Sequence, residues 1–168
     1  MHRRCVSLQS VDNGGIEPLW LDDDEQRAWR AFLQASTRLL ERLDAELEAE
    51  AGLSLADYEI LVHLADAPDG LRMTDLAGRA LVSRSGLTRR VDRLTCEGLV
   101  DRLPCPTDRR GVVAVLTEPG RARLVAAAPS HVAGVRRHFV DALGSQDLRA
   151  LAAALDAVRA SAEAPTPG

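Results

Sequence analysis

Apolar residues along this chain fall mostly at helical spacing, and only one short region alternates as strands do. The first stripe runs over about 22–51, where Trp29, Phe32, Ser36, Leu40, Leu43 and Leu47 share a face. Asp22-Asp23-Asp24-Glu25 opens it with the negative charge that a helix's positive end favours, and Gly52 stops it. Ser54 then offers an N-cap with Asp57 three residues on, a variant of the capping box. Tyr58, Ile60, Leu61 and Leu64 give this second helix its core face before Pro68, Asp69 and Gly70 close it.

From Leu71 to Thr117 the elements become shorter. A brief helix turns Met73, Leu76, Ala77 and Ala80 inward. In the next, Leu87, Val91 and Leu94 form the packing face, while Ser83, Arg84, Ser85, Thr88 and Arg89 fall largely on the others. Ser83 is placed to cap it, and Gly98 stands where a left-handed residue would end it. Gly86 costs roughly 1 kcal/mol against Ala inside a helix, so its presence points to a close approach to some surface. Residues 99–103 and 112–116 are short and rich in apolar or β-branched side chains, as hairpin strands are. The connection Pro104–Gly111 reads as too rich in Pro and Gly to continue either strand. The order is a helix-turn-helix followed by a wing.

Beyond it, Thr117 caps a helix that tolerates Pro119 only in its first turn, and Pro129 predicts a kink or break. Val132, Val135 and Phe139 resume the pattern toward Leu143, Gly144 marks a turn, and Ser145 is the expected cap of a last helix carrying Leu148, Leu151, Leu155 and Val158. The fold class is therefore mainly α with a small β-hairpin wing. The expected layout is an arm over 1–18, one domain over 19–162 with its winged core at about 54–117 and flanking helices at about 22–51 and 118–161, and a frayed tail over 163–168. The flanking stripes need a partner that one small lobe cannot fully supply.

Composition sharpens the reading. Hydrophobic residues make up 46% of 168 positions, enough for a real core, but aromatics are only 3%, so Leu, Val and Ala must build it. The net charge is −4, yet Arg72 to Arg123 holds eleven arginines against six acidic residues. An acidic chain with one compact basic element suits a polyanion on one face. All 21 basic residues are Arg, whose planar fork matches phosphate and guanine. No catalytic constellation appears: Ser83 and Ser85 have no His at workable spacing, and no Gly-rich loop could cradle phosphate. Neither an enzyme nor a cofactor is expected. Cys5, Cys96, Cys105 and the four scattered His give no metal-binding or disulfide pattern. His2, Arg3 and Arg4 precede no apolar run of signal-peptide length, and none suffices for a membrane span, so the expected location is cytoplasmic.

Three runs carry a family resemblance. Asp75-Leu76-Ala77, Val82-Ser83-Arg84-Ser85-Gly86-Leu87-Thr88-Arg89-Arg90-Val91-Asp92-Arg93-Leu94 and Glu97-Gly98-Leu99-Val100-Asp101-Arg102 resemble the DNA-binding core of MarR family transcription regulators. Pro106-Thr107-Asp108-Arg109-Arg110-Gly111 with Leu116-Thr117-Glu118-Pro119-Gly120 resembles their wing and following helix, and the likeness covers roughly residues 20–160. It implies a homodimer built on the terminal helices and a repressor on near-palindromic double-stranded DNA. It also implies release by a small aromatic effector held between dimer base and lobe, where Trp29, Tyr58 and His63 are the candidate lining. Ser83, Ser85, Thr88 and Arg89 become candidates for the major groove, with Gly86 allowing close approach and Arg89 best suited to a guanine edge. Arg84, Arg90 and Arg93 would serve phosphates or the lobe's own carboxylates. In the wing, beside Thr107, the resemblance sends Arg110 to the minor groove with Asp108 holding its guanidinium, and Arg109 to the backbone. A branch of the family senses peroxide through Cys, leaving redox sensing as one alternative and a protein-binding winged helix as another.

Overall fold

The computed structural model describes residues 20–80, 82–105 and 108–164, and for 108–110 the backbone alone. The expected arm over 1–18, Thr107 and the end of the expected tail lie outside the described residues. The first helix, α1, spans Asp23–Ala51, and the chain divides into two compact units within it, after Gln34. In the first unit Asp22 and Glu25 form a reciprocal capping box, each side chain accepting from the other's backbone N–H at 2.8 Å. Trp29 stacks on Phe32 with ring centroids 6.0 Å apart, and both are exposed. Of the α1 stripe only Leu43 and Leu47, in the second unit, are buried.

In that second unit α2 (Leu55–Ala65), α3 (Met73–Arg79) and α4 (Arg84–Cys96) enclose a core of Leu47, Ile60, Leu61, Leu64, Leu76, Leu87, Val91 and Leu94. The caps read from sequence form: Ser54 Oγ accepts from Asp57 N at 3.2 Å, and Ser83 Oγ from Gly86 N at 3.2 Å. At the end of α4, Gly98 takes a φ of +71°, Leu99 N bonds Leu94 O at 2.9 Å and Gly98 N bonds Thr95 O at 3.0 Å. This paired closure satisfies two carbonyls that a helix end otherwise leaves without partners.

Three antiparallel strands, β1 (Leu71–Arg72), β2 (Val100–Cys105) and β3 (Asp108–Leu116), lie in the order β1-β3-β2. Leu71 pairs with Ala114, and the hairpin runs from Val100 opposite Leu116 to Pro104 opposite Val112. The strands are longer than expected: β2 continues through Pro104 and Cys105, and β3 already begins at Asp108. Pro104 is tolerated because β2 is an edge strand, and the register shift at Pro104/Cys105 absorbs the surplus residues Arg109–Gly111.

The next helix, α5 (Glu118–Val135), where a kink or a break was expected at Pro129, runs on unbroken through it into a π-helical turn over Arg136–Val140. Proline leaves the Val125 carbonyl without its helical donor, and Val125 is exposed, so water can take that place. Glu46 of α1 joins this region, 3.0 Å from His138 Nε2, 2.6 Å from Arg42 Nε and 3.5 Å from Arg137. The His138 hydrogen bond, against some desolvation, holds the Glu46 carboxyl below its usual range. The last helix, α6 (Ser145–Glu163), starts one residue earlier than its expected cap implied: Gly144 is the N-cap and Ser145 is already helical. Glycine is itself an accepted N-cap, and its carbonyl takes Leu148 N at 3.0 Å. None of the α6 residues is buried.

Helix α5 seats on the end of α4 through Thr117, whose Oγ1 donates to Gly98 O at 2.7 Å and whose N donates to Leu99 O at 3.2 Å. A methyl group at Gly120 would lie 2.0 Å from Leu99 O and 2.8 Å from Leu116 Cδ1. Gly120→Ala is therefore expected to destabilise the protein by about 3 kcal/mol, the upper range for overpacking. Gly78→Ala, in a helix with nothing within 4 Å, should instead stabilise by roughly 0.4–1 kcal/mol. Urea denaturation of both variants reads the contrast, and equal effects would refute this account of Gly120.

Candidate nucleic-acid interface

Packing of Leu87, Val91 and Leu94 into the core leaves the opposite side of α4 outward. Ser83, Arg84, Ser85, Thr88 and Arg89 are all exposed there. Arg84 and Arg89 enter no ion pair among the described residues, so their guanidinium donors face solvent. Thr88 Oγ1 donates to Arg84 O at 3.2 Å, and Ser85 Oγ lies 3.4 Å from Ser83 Oγ. Both hydroxyls keep acceptor capacity for an incoming donor. Gly86 has a local reason beyond the one expected: a methyl there would sit 3.1 Å from Ser83 Oγ and crowd the cap.

A shallow concavity opens beside the start of α4, lined by Val82, Ser83, Gly86, Arg89, Arg90 and Arg93. Two of its three arginines are engaged. Asp57, a buried carboxylate at 1% exposure, takes Arg90 Nη1 on Oδ1 at 3.1 Å and Arg93 Nη2 on Oδ2. Sequence reading saw Asp57 only as part of a cap; its role as the carboxylate under α4 was missed, because the partners lie 33 and 36 residues away. Arg102 of β2 bonds Asp92 at 2.8 Å and ties the hairpin to α4. In the wing, Asp108, Arg109 and Arg110 lie on β3, and their side chains fall outside the described residues.

Of the effector candidates, Tyr58 is buried and its ring packs on His131 of α5 with centroids 4.5 Å apart. Burial, reinforced by the Glu59 charge, pushes the Tyr58 hydroxyl above its ordinary pKa. His131 Nδ1 is buried with no hydrogen-bond partner among the described residues, and burial pulls the imidazole below its ordinary value, opposed by Glu59. His63 is partly exposed with Nε2 4.0 Å from Glu59. Trp29 belongs to the first unit, where it stacks on Phe32. Cys96 is exposed at the end of α4 and Cys105 is buried in β2, both as thiols. Among the described residues no group of three or more His, Cys, Asp or Glu could hold a metal ion, and no helix is long and apolar enough to cross a membrane.

A helix-turn-helix whose second helix presents Ser, Thr and Arg outward, backed by a three-stranded antiparallel wing, defines a winged helix-turn-helix protein. The MarR family profile matches residues 51–111. AbsC, a MarR family transcriptional regulator from Streptomyces coelicolor, is 43% identical with a TM-score of 0.78, over 84% of this chain and 96% of that one. Sco3205, a MarR family transcriptional regulator from the same organism solved in complex with DNA, is 39% identical with a TM-score of 0.81, over 90% and 95%. The HTH-type transcriptional repressor YetL of Bacillus subtilis is 36% identical over 55% of this chain. The matches span only 28% to 60% of the curated relatives' own lengths. The chain belongs to the MarR family of transcription regulators, which are not enzymes.

The half-buried His131 imidazole sets a pH dependence. His131 has a lowered pKa in the folded state, so the unfolded chain binds its proton first as pH falls through about 6.5. The stabilisation is complete above that value and is lost as pH falls toward the folded-state pKa. Denaturation midpoints taken from pH 8 to 5.5 should fall more for the native protein than for His131→Leu. Parallel profiles would refute the assignment.

Proposed function

We propose that this protein is a homodimeric, sequence-specific DNA-binding regulator, acting as a repressor on a near-palindromic operator and released by a small-molecule effector. The observation that carries the reading is the outward face of α4, where Arg89 stands without an ion pair among the described residues beside Ser85 and Thr88. Bidentate donation from Arg to O6 and N7 of guanine is the commonest specific major-groove contact. Arg109 and Arg110 of the wing would add backbone and minor-groove contacts. The complex of Sco3205 with DNA and the repressor name of YetL support the DNA and repressor parts.

Dimerisation is supported by apolar side chains that the second unit leaves outside its core: Leu40, Val132, Leu155 and Val158 are exposed on α1, α5 and α6. A two-fold dimer doubles the contacts and fixes half-site spacing at about one turn of DNA or a multiple. For the effector, the Tyr58–His131 pair offers an aromatic contact and an imidazole nitrogen without a partner among the described residues; His63, 4.0 Å from Glu59 on α2, and Trp29 stay candidates from the sequence.

Selection of duplexes from a random library, followed by affinity measurement at several salt concentrations, tests the central claim. A near-palindromic consensus is expected, bound by a species that light scattering reports as a dimer. Arg89→Ala should cost roughly 1–3 kcal/mol and relax one symmetric pair of positions. Arg109→Ala should instead lower the log-affinity against log-salt slope by about 0.9 per contact. Failure to enrich any duplex, or binding indifferent to salt, would overturn the reading.

A further inference from the structure

We propose that Asp57 is a specificity-setting residue: from beneath α4 it holds Arg90 and Arg93 in fixed positions and withholds their charge from indiscriminate phosphate binding. The inference rests on the DNA-binding reading of α4 and adds how that surface is kept selective. The carboxylate is 1% exposed, whereas the Arg90 and Arg93 side chains are 33% and 53% exposed. The anion is thus inside and its two cations reach the surface.

Every oxygen of the carboxylate is used. Oδ1 accepts from Arg90 Nη1 at 3.1 Å, and Oδ2 accepts from Arg93 Nη2 and from Ser54 Oγ. Arg90 Nη1 also donates to Ser54 Oγ at 3.0 Å, and Arg93 Nε lies 3.7 Å from Glu97. The strand of chain leading into α2 is itself fixed, because Asp44 Oδ1 accepts from Leu55 N at 2.8 Å. Releasing either arginine to a phosphate would leave a buried carboxylate under-compensated, which is strongly unfavourable.

Two consequences follow for a polyanion at the concavity. Each guanidinium has five N–H donors, so donors remain for a phosphate while Asp57 keeps its own bonds, and their prior fixation lowers the ordering cost of binding. The charge offered is smaller than the count of arginines. Arg89, Arg90 and Arg93 line the concavity, but Asp57 offsets one of these three charges. Non-specific affinity grows with the number of phosphates neutralised, whereas selectivity is the difference between correct and incorrect sites. A buried carboxylate under the reading helix lowers the first and preserves the second.

Asp57→Asn in the full chain tests this, with affinities measured for the selected operator and a scrambled duplex across a salt series. The expected result is tighter binding to scrambled DNA, a selected-to-scrambled ratio reduced on the order of tenfold, and a salt slope steeper by about 0.9 per half-site. An unchanged ratio and slope would overturn the proposal, as would equal weakening on both duplexes at unchanged slope, the signature of a structural role alone. Should circular dichroism show that Asp57→Asn does not fold, Arg93→Gln supplies the readout. It should shallow the slope by less than half as much as Arg109→Ala, and an equal change would overturn the proposal. Native protein with no salt-dependent binding to any duplex would overturn the DNA-binding reading, and this inference with it.

Discussion

Two carbonyls, those of Gly98 and Leu99, join the helix-turn-helix half of the second unit to its long helical half. Gly98 can bend the chain away from α4 because it adopts a positive φ, and the same bend presents its carbonyl to Thr117 Oγ1. Leu99 O receives Thr117 N, and Gly120 lets the first turn of α5 come down onto it without a side chain intervening. Since Val100 pairs with Leu116, the hairpin both leaves and returns at this junction. The register of the wing and the direction of α5 are thus set at one place. Adding bulk at Gly120 would push on the wing and on α5 together.

Much of this was legible in advance because it depends on short-range chemistry. Ser54, Ser83 and Thr117 cap the helices they were read to cap, each by accepting from a backbone N–H three residues on. The inward faces of α3 and α4 follow from spacing alone, with Leu76, Leu87, Val91 and Leu94 almost fully buried. What escaped depends on distant partners. A two-residue β1 has no period to detect and exists only because Val113 and Ala114 offer it a strand. Pro104 looked like a strand breaker because nothing local says that β2 lies at an edge. Asp57 looked like a cap because Arg90 and Arg93 meet it only after α2 and α4 have packed.

The same distinction corrects the charge argument. Counting arginines between Arg72 and Arg123 identified the basic element, but the charges there are not equivalent. Arg102 is committed to Asp92, and Arg90 and Arg93 to Asp57, while Arg84 and Arg89 have no such commitment among the described residues. The exposed Arg102–Asp92 pair contributes little to stability, whereas the pairs on buried Asp57 are costly to break, and both kinds orient the guanidinium groups. A basic helix built this way presents an arranged set of donors in place of a diffuse positive field.

The π-helical turn at Arg136–Val140 has a consequence for phase. Gly120, Ala127 and Gly134 are the buried residues of α5, seven apart, and a methyl at Gly134 would lie 3.0 Å from Leu43 Cδ2. Continued as an ordinary α-helix, that row would next reach Asp141 and carry a carboxylate toward the leucines of α1. The wider turn, closed by Asp141 N on Arg136 O at 2.8 Å, takes up one extra residue and delays the following side chains by about 100° of rotation. Asp141 accordingly emerges in solvent, 3.8 Å from Arg136. A single surplus residue, absorbed as a change of helical pitch, keeps the heptad row apolar to its end.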